Sequence, residues 1–175
     1  MPTLTATQHE TLVHFASGAD RLEKAITGLT EQELDCSCAP GEWTIRQMVH
    51  HVADDGDAWS MPFKKALVTP GARVRFEGFP GNDVWAAALA FDTRPIQASV
   101  ALVKAHRQHL KELAEHFSNA WEQSVMIVDD QGRDVQAVSV EQILTMIDGH
   151  LTEHVAAIET IKQQHAIQGI QGHVG

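Results

Sequence analysis

The chain contains no tyrosine and only two cysteines among its 175 residues. Cys36 and Cys38 stand one residue apart, too few for a disulfide framework and without a second pair to complete a soft-metal cage. Cations are also scarce: 13 Lys and Arg face 23 Asp and Glu, a formal charge of −10. Duplex nucleic acid and anionic membranes need clustered positive charge, so neither is an expected partner. No run approaches the roughly 18 apolar residues of a membrane span. Met1-Pro2-Thr3-Leu4-Thr5 lacks a basic segment leading into an apolar run, which predicts no secretory signal. No glycine-rich loop follows a strand pattern, and no G-x-S-x-G elbow exists, so nucleotide binding and serine hydrolysis have no support. The expectation is a soluble, cytoplasmic protein.

What the chain has in excess is histidine, 11 residues, and a hydrophobic fraction of 43%, enough for a core. Leu12, Phe15, Ala19, Leu22, Ile26 and Leu29 recur at steps of three and four, predicting a helix from Thr7 to Leu29. Thr30-Glu31-Gln32-Glu33 reads as a capping box for a short helical turn. Thr44-Ile45-Arg46-Gln47 reads as another, opening a second long helix, and Ser139-Val140-Glu141-Gln142 as a third. Ile45, Met48, Val49, Val52, Gly56, Trp59 and Phe63 line the second helix, with a kink or an end expected near Ser60 because of Pro62. Residues 69–81 read as mostly loop, and Asn82 as the cap of a short helix through Ala90. A third long helix follows Pro95 to Phe117. Ser124 to Val128 and Asp134 to Val138 suggest a hairpin. Val140, Ile143, Leu144, Ile147, Leu151, Val155 and Ile158 form the last stripe, with a loose tail from about residue 165. Four amphipathic helices that cannot stand alone pack as a bundle. The predicted fold is therefore all-α, a single domain over 1–175. It has a long crossover between helices two and three and a small β-hairpin before the last helix.

The histidines supply the candidate chemistry. His150 and His154 are four apart, so they leave one face of the last helix, within its apolar half. Burying two unpaired imidazoles costs roughly 1–3 kcal/mol each; a metal ion satisfies both, and spacing alone equally allows a paired, solvated or hydrogen-bonded structural role. Residue 151 is Leu, so the zincin H-E-x-x-H reading fails. A third ligand must come from elsewhere. His50 and His51 flank the second stripe on opposite sides, and periodicity does not choose between them. Asp55 lies one turn beyond His51, where it could support a metal ligand or remain a solvated carboxylate. Asp148 and Glu153 are expected to be exposed. His106 is at the core edge, His109 and His116 on a solvated face, and His9, His14, His165 and His173 at the surface. Trp43, Trp59, Trp85 and Trp121 are expected in the core or along a cavity wall.

The stretch Trp43-Thr44-Ile45-Arg46-Gln47-Met48-Val49-His50-His51-Val52-Ala53-Asp54 resembles the second-helix motif of the DinB/YfiT-like superfamily. There a Trp opens a W-[ST]-[IV]-R-[EQ] segment and the metal-binding His follows eight residues later. Trp43 plus eight is His51. The family's other half is an H-x3-H pair on the last helix, matched by His150 and His154. The resemblance implies a bundle with a three-histidine site, His51, His150 and His154, facing a cavity at one end. It implies a divalent metal such as zinc or nickel, and a homodimer. It also implies relatives that transfer bacillithiol or use mycothiol.

On that basis the leading expectation is a metal-dependent enzyme that transfers or uses a low-molecular-weight thiol with a small electrophilic substrate. Metal-dependent hydrolysis is the enzymatic alternative. A non-catalytic, stress-related metal- or ligand-binding bundle is the alternative of another class.

Overall fold

The computed structural model describes residues 3–167. Most of the expected tail, and His173, lie outside the described residues. The elements are α1 (Ala6–Ile26), α2 (Glu31–Leu34), α3 (Ile45–Val68), β1 (Arg73–Val74), α4 (Asn82–Ala88), α5 (Gln97–His116), β2 (Ser124–Val128), β3 (Asp134–Ser139) and α6 (Val140–Gln164). The chain is a four-helix bundle of α1, α3, α5 and α6, with the long crossover and the hairpin where the sequence puts them. Helix α1 packs on α5 and α6, and α3 packs on the same two. The two long helices that come first in the chain therefore sit across a diagonal. No described helix is long and apolar enough to cross a membrane.

The three capping boxes read from the sequence all form, on Thr30, Thr44 and Ser139, and a fourth forms on Thr5. Each hydroxyl accepts from the backbone N–H three residues on, while the Gln or Glu there accepts from the cap N–H, so two orphan donors are satisfied at once. Two local readings need correction. Helix α3 does not end near Ser60 but runs through Pro62 to Val68. An interior proline costs a helix about 3 kcal/mol; here Pro62, Phe63 and Ala66 are all buried, and packing of that face offsets the loss. Asn82 is not the cap of α4: Gly81 is, with φ +99°, and Asn82 is the first helical residue. Only glycine adopts that backbone without strain. Residues 69–81 are mostly loop, as expected, with one short exception. Arg73 and Val74 form a strand parallel to β2, with Val74 opposite Ile127, while β2 and β3 pair antiparallel as the expected hairpin. Two residues carry no periodicity to read.

The core has two layers. Leu22, Ile45, Val49, Val103, Leu151 and Ile158 belong to one; Phe15, Phe63, Leu110, Val125, Ile143 and Leu144 belong to the other, which the sheet covers. Between them lies a polar level. Arg107 of α5 is 3% exposed. It donates to Asp148 Oδ1 at 2.8 Å, to the Ile147 carbonyl at 3.2 Å and to the Phe15 carbonyl, and lies over the Phe15 ring at 4.6 Å. Asp148 also pairs with His14 and with Arg21 at 2.8 Å. Burial alone would raise the Asp148 pKa, but the bonds from Arg107 and His14 hold it below the usual carboxylate value. The expectation of an exposed Asp148 is thus overturned: it is 8% exposed. It sits just off the apolar stripe of α6, and no single-helix pattern shows the Arg that meets it. Gly18 makes room, since a Cβ there would lie 2.2 Å from Arg107 Nη1.

Candidate metal centre

Helix α3 and helix α6 face each other along a seam, and three histidines meet there. His51 Nε2 is 3.1 Å from His150 Nε2, and His154 Nε2 is 3.0 Å from His150 Nε2. All three ligand atoms lie within 4.8 Å of one another. His150 and His154 come from successive turns of α6, and His51 from the second turn of α3. Trp43, just before the Thr44 cap, packs its ring edge-on to His51 with centroids 4.7 Å apart. That contact fixes the imidazole's tilt.

The doublet that periodicity left open divides cleanly. His50 is 1% exposed, not at the solvent boundary. Its Nδ1 is 2.7 Å from Ser99 Oγ and its Nε2 3.2 Å from the Arg94 carbonyl. It ties α3 to the start of α5, and burial lowers its pKa. His51 turns the other way, to the seam. Arg46, one turn earlier, reaches Asp35 and Glu31 at 2.7 Å each and the Arg94 carbonyl at 3.2 Å. It thereby holds α2 and the end of the crossover against the start of α3.

Asp55 Oδ2 lies 2.9 Å from His150 Nδ1. A carboxylate only accepts, so Nδ1 carries the proton and the Nε2 of a neutral His150 presents its lone pair to the cluster. The same bond raises the His150 pKa. Burial, then the charge of His150, lowers that of His51. Burial, then His150 and His51, pushes His154 down to about 4. Near neutral pH, His51 and His154 are therefore uncharged. Two nitrogens about 3 Å apart have the spacing of neighbouring ligands at ~2.0–2.1 Å from one ion. Three lone pairs aimed at one point, one locked by a carboxylate behind it, form a donor set that fits a divalent metal of the zinc type.

His51 and His150 of the cluster line a cleft of about 520 Å³, together with Asp55, Trp59, Asn82, Met146, Gly149 and Glu153. It runs along the α3–α6 seam, where His51, Asp55 and Trp59 step down α3 as His150 and Met146 step back along α6. The crossover closes one side: Trp85 Nε1 donates to Asp54 at 2.8 Å, and Trp43 Nε1 donates to Asp83 at 2.8 Å. Glu153 is exposed, as expected, but on the cleft's edge. Met146, Asn82 and Glu153 were not singled out as cleft residues. The spacing 146–150 on α6 and 51–55–59 on α3 carried the signal for part of the lining; Asn82 had none, since its place depends on the crossover's path. His106 does not line the cleft; its Nε2 lies 3.3 Å from Asp57. His9, His14, His109, His116 and His165 are exposed. Of the tryptophans, Trp121 is core, Trp43 and Trp59 are half-buried at the site, and Trp85 is on the surface. Cys36 and Cys38 are both free thiols.

The sequence profile of the DinB superfamily matches residues 14–158. The chain belongs to the DinB superfamily. A relative from Bacillus pumilus, named "Putative metal-dependent hydrolase", is 31% identical over 147 residues, covering 80% of this chain and 77% of that one. One from Oceanobacillus iheyensis with the same description is 24% identical over 152 residues, covering 86% and 83%. Among solved structures, YfiT from Bacillus subtilis is described as a "probable metal-dependent hydrolase with an unusual four-helix bundle topology". It superposes with a TM-score of 0.81 at 19% identity over 96% of this chain and 93% of that one. The mycothiol-dependent maleylpyruvate isomerase superposes with a TM-score of 0.64 at 19% identity, over 90% of this chain and 63% of that one. At these identities the two structures establish the fold.

Proposed function

We propose that this DinB-superfamily chain is a metal-dependent enzyme in which His51, His150 and His154 hold a divalent ion, zinc or nickel, and that it hydrolyses a small-molecule substrate. The observation that carries the reading is the convergence of three Nε2 atoms at an open cleft, one of them backed by Asp55. A bound ion of this kind supplies Lewis acidity and an activated water near neutral pH. The protein's own residues prepare for it. Burial keeps His51 and His154 unprotonated, Asp55 holds the His150 proton on Nδ1, and Trp43 fixes the His51 ring. Three ligands from the chain leave room for a further one, the mark that distinguishes catalytic from closed structural sites. The names of the relatives support hydrolysis.

A second reading is transfer or use of a low-molecular-weight thiol such as bacillithiol or mycothiol. The size of the cleft favours it, since about 520 Å³ accommodates a co-substrate. Hydrolysis stands first because no Lys or Arg lines the cleft to hold the carboxylates that many such thiols carry.

Metal analysis of untagged protein tests the site. We expect about one divalent ion per chain, as three histidine ligands imply, and its loss in His51→Ala and His154→Ala. Unchanged metal content in both variants would overturn the assignment. Metal-loaded protein is then assayed with ester and amide substrates with and without bacillithiol, mycothiol or glutathione. Turnover only with thiol puts the second reading first. Bound metal without turnover in any arm leaves a non-catalytic metal-binding bundle.

A further inference from the structure

We infer that the cleft selects substrates whose body carries a positive charge, a protonated or quaternary amine on an apolar or aromatic frame. The inference rests on the proposed function for the cleft's role, but not on which reaction occurs there. Two carboxylates line the cleft, Asp55 and Glu153, and two more, Asp54 and Asp83, hold the tryptophans Trp85 and Trp43 of the crossover side. Three are already engaged. Asp54 accepts from Trp85, Asp83 from Trp43 and Asp55 from His150. Glu153 lines the cleft and, among the described residues, accepts no hydrogen bond. Of the two carboxylates in the lining it is the one to which no hydrogen bond from the described residues is made.

No Lys or Arg lies in the lining, and the whole chain carries a formal charge of −10, so without a metal the field at the mouth attracts cations and repels anions. A divalent ion among the histidines accepts one anionic or neutral group of a substrate. It provides nothing for a second carboxylate farther along, where the wall is Trp59 and Met146. That wall suits a cation's frame. The Trp59 ring is steadied by an edge contact with Phe76, centroids 5.0 Å apart. An indole face attracts ammonium groups within about 6 Å of its centroid, and a thioether packs softly on apolar groups. A substrate bound this way lays its apolar frame along Trp59 and Met146 and places its ammonium toward Glu153, beside the histidines.

Calorimetric titration of the full-length protein with three probes of similar size tests this. They are benzyltrimethylammonium, benzyl alcohol and phenylacetate. The quaternary cation has no lone pair for a metal, so it reports the cleft wall. We expect it to bind about tenfold tighter than benzyl alcohol, a difference of about 1.4 kcal/mol, with the advantage shrinking as salt is raised. Glu153→Gln should remove most of that advantage, and Trp59→Leu should weaken the cation more than the alcohol. Phenylacetate binding metal-free protein as tightly as the cation does, or a cation preference unchanged in Glu153→Gln, would overturn the inference. The metal content of the same batches is measured separately. A cation preference in metal-free protein supports this inference while sinking the metal reading; bound metal without the preference does the reverse.

Discussion

Helix α6 carries two polar clusters that begin two residues apart. On the side toward α1 and α5, Asp148 meets Arg107, Arg21 and His14. On the side toward α3, His150 and His154 meet His51, with Asp55 behind them. The first cluster is closed. Its carboxylate is met on both oxygens, by Arg107 and Arg21 at Oδ1 and by His14 at Oδ2, and the guanidinium of Arg107 also donates to two carbonyls. The second is open. Its nitrogens point at one another, where no more than one proton can sit between each pair, and a cleft lies beside them. A buried polar group whose partners are all supplied by the chain belongs to the architecture. Polar groups that converge and leave one another unsatisfied are prepared for something from outside. Distance along the sequence does not separate the two roles; the face of the helix does.

The largest effect is expected from breaking the closed cluster. Arg107→Met leaves Asp148 buried and unpaired by its main partner, and removing one member of such a pair typically costs about 3–5 kcal/mol. Chemical denaturation should show that loss, while the metal bound per folded chain stays unchanged; a coupled loss of metal would blur the distinction between the faces. Asp55→Asn sharpens the open cluster. The amide can donate or accept, so the His150 tautomer is no longer fixed. Partners behind a metal ligand are worth roughly 10–100-fold in affinity, and competition with a chromophoric chelator measures it, with thermal stability of the metal-free protein nearly unmoved.

The third test is pH. His154 and His51 have folded pKa values below the ordinary imidazole value, His154 at about 4. Below pH ~6.5 the unfolded chain takes up protons that these folded residues refuse. Metal-free stability should therefore fall as pH drops from 7 toward 4. His150, raised by Asp55, acts oppositely and contributes stability at low pH that fades as pH rises through its folded value. Two lowered groups against one raised predict a net fall. Thermal melts at pH 7.5, 6 and 5 check it, and His154→Gln should flatten the slope. Smallest of all, Trp85→Phe deletes one surface hydrogen bond to Asp54 and should cost under about 1 kcal/mol. Hydrogen exchange in α4 should nonetheless quicken.

The long helices were legible because their stripes and capping boxes are local: Thr44, Ser139 and Thr30 announce starts within four residues. The histidine pair on α6 was legible for the same reason, since residues four apart share a face. The choice of His51 over His50 was not local. It depends on Ser99 and the Arg94 carbonyl claiming His50 from a distant part of the chain, and the family resemblance chose where periodicity did not. Asp148 was misjudged because a lone carboxylate near a stripe reads as solvated until its arginine, 41 residues away, is known. The cleft's position and Asn82's place in it depend on a crossover whose glycine-rich path has no period at all.

The His50–His51 doublet has a consequence for how this chain can change. Each residue in a helix advances ~100°, so the two adjacent side chains divide two jobs between two sides of α3. Deleting one residue between Ile45 and Val49 would leave Thr44 capping the helix but rotate everything beyond it. The imidazole that braces α5 would then swing away from Ser99, and the one serving the seam would swing away from α6. Substitutions along this stretch alter one contact at a time; a change in its length alters both together. Natural variation in segment length is therefore expected in the loop before Trp43 and in the crossover, and not within the first two turns of α3.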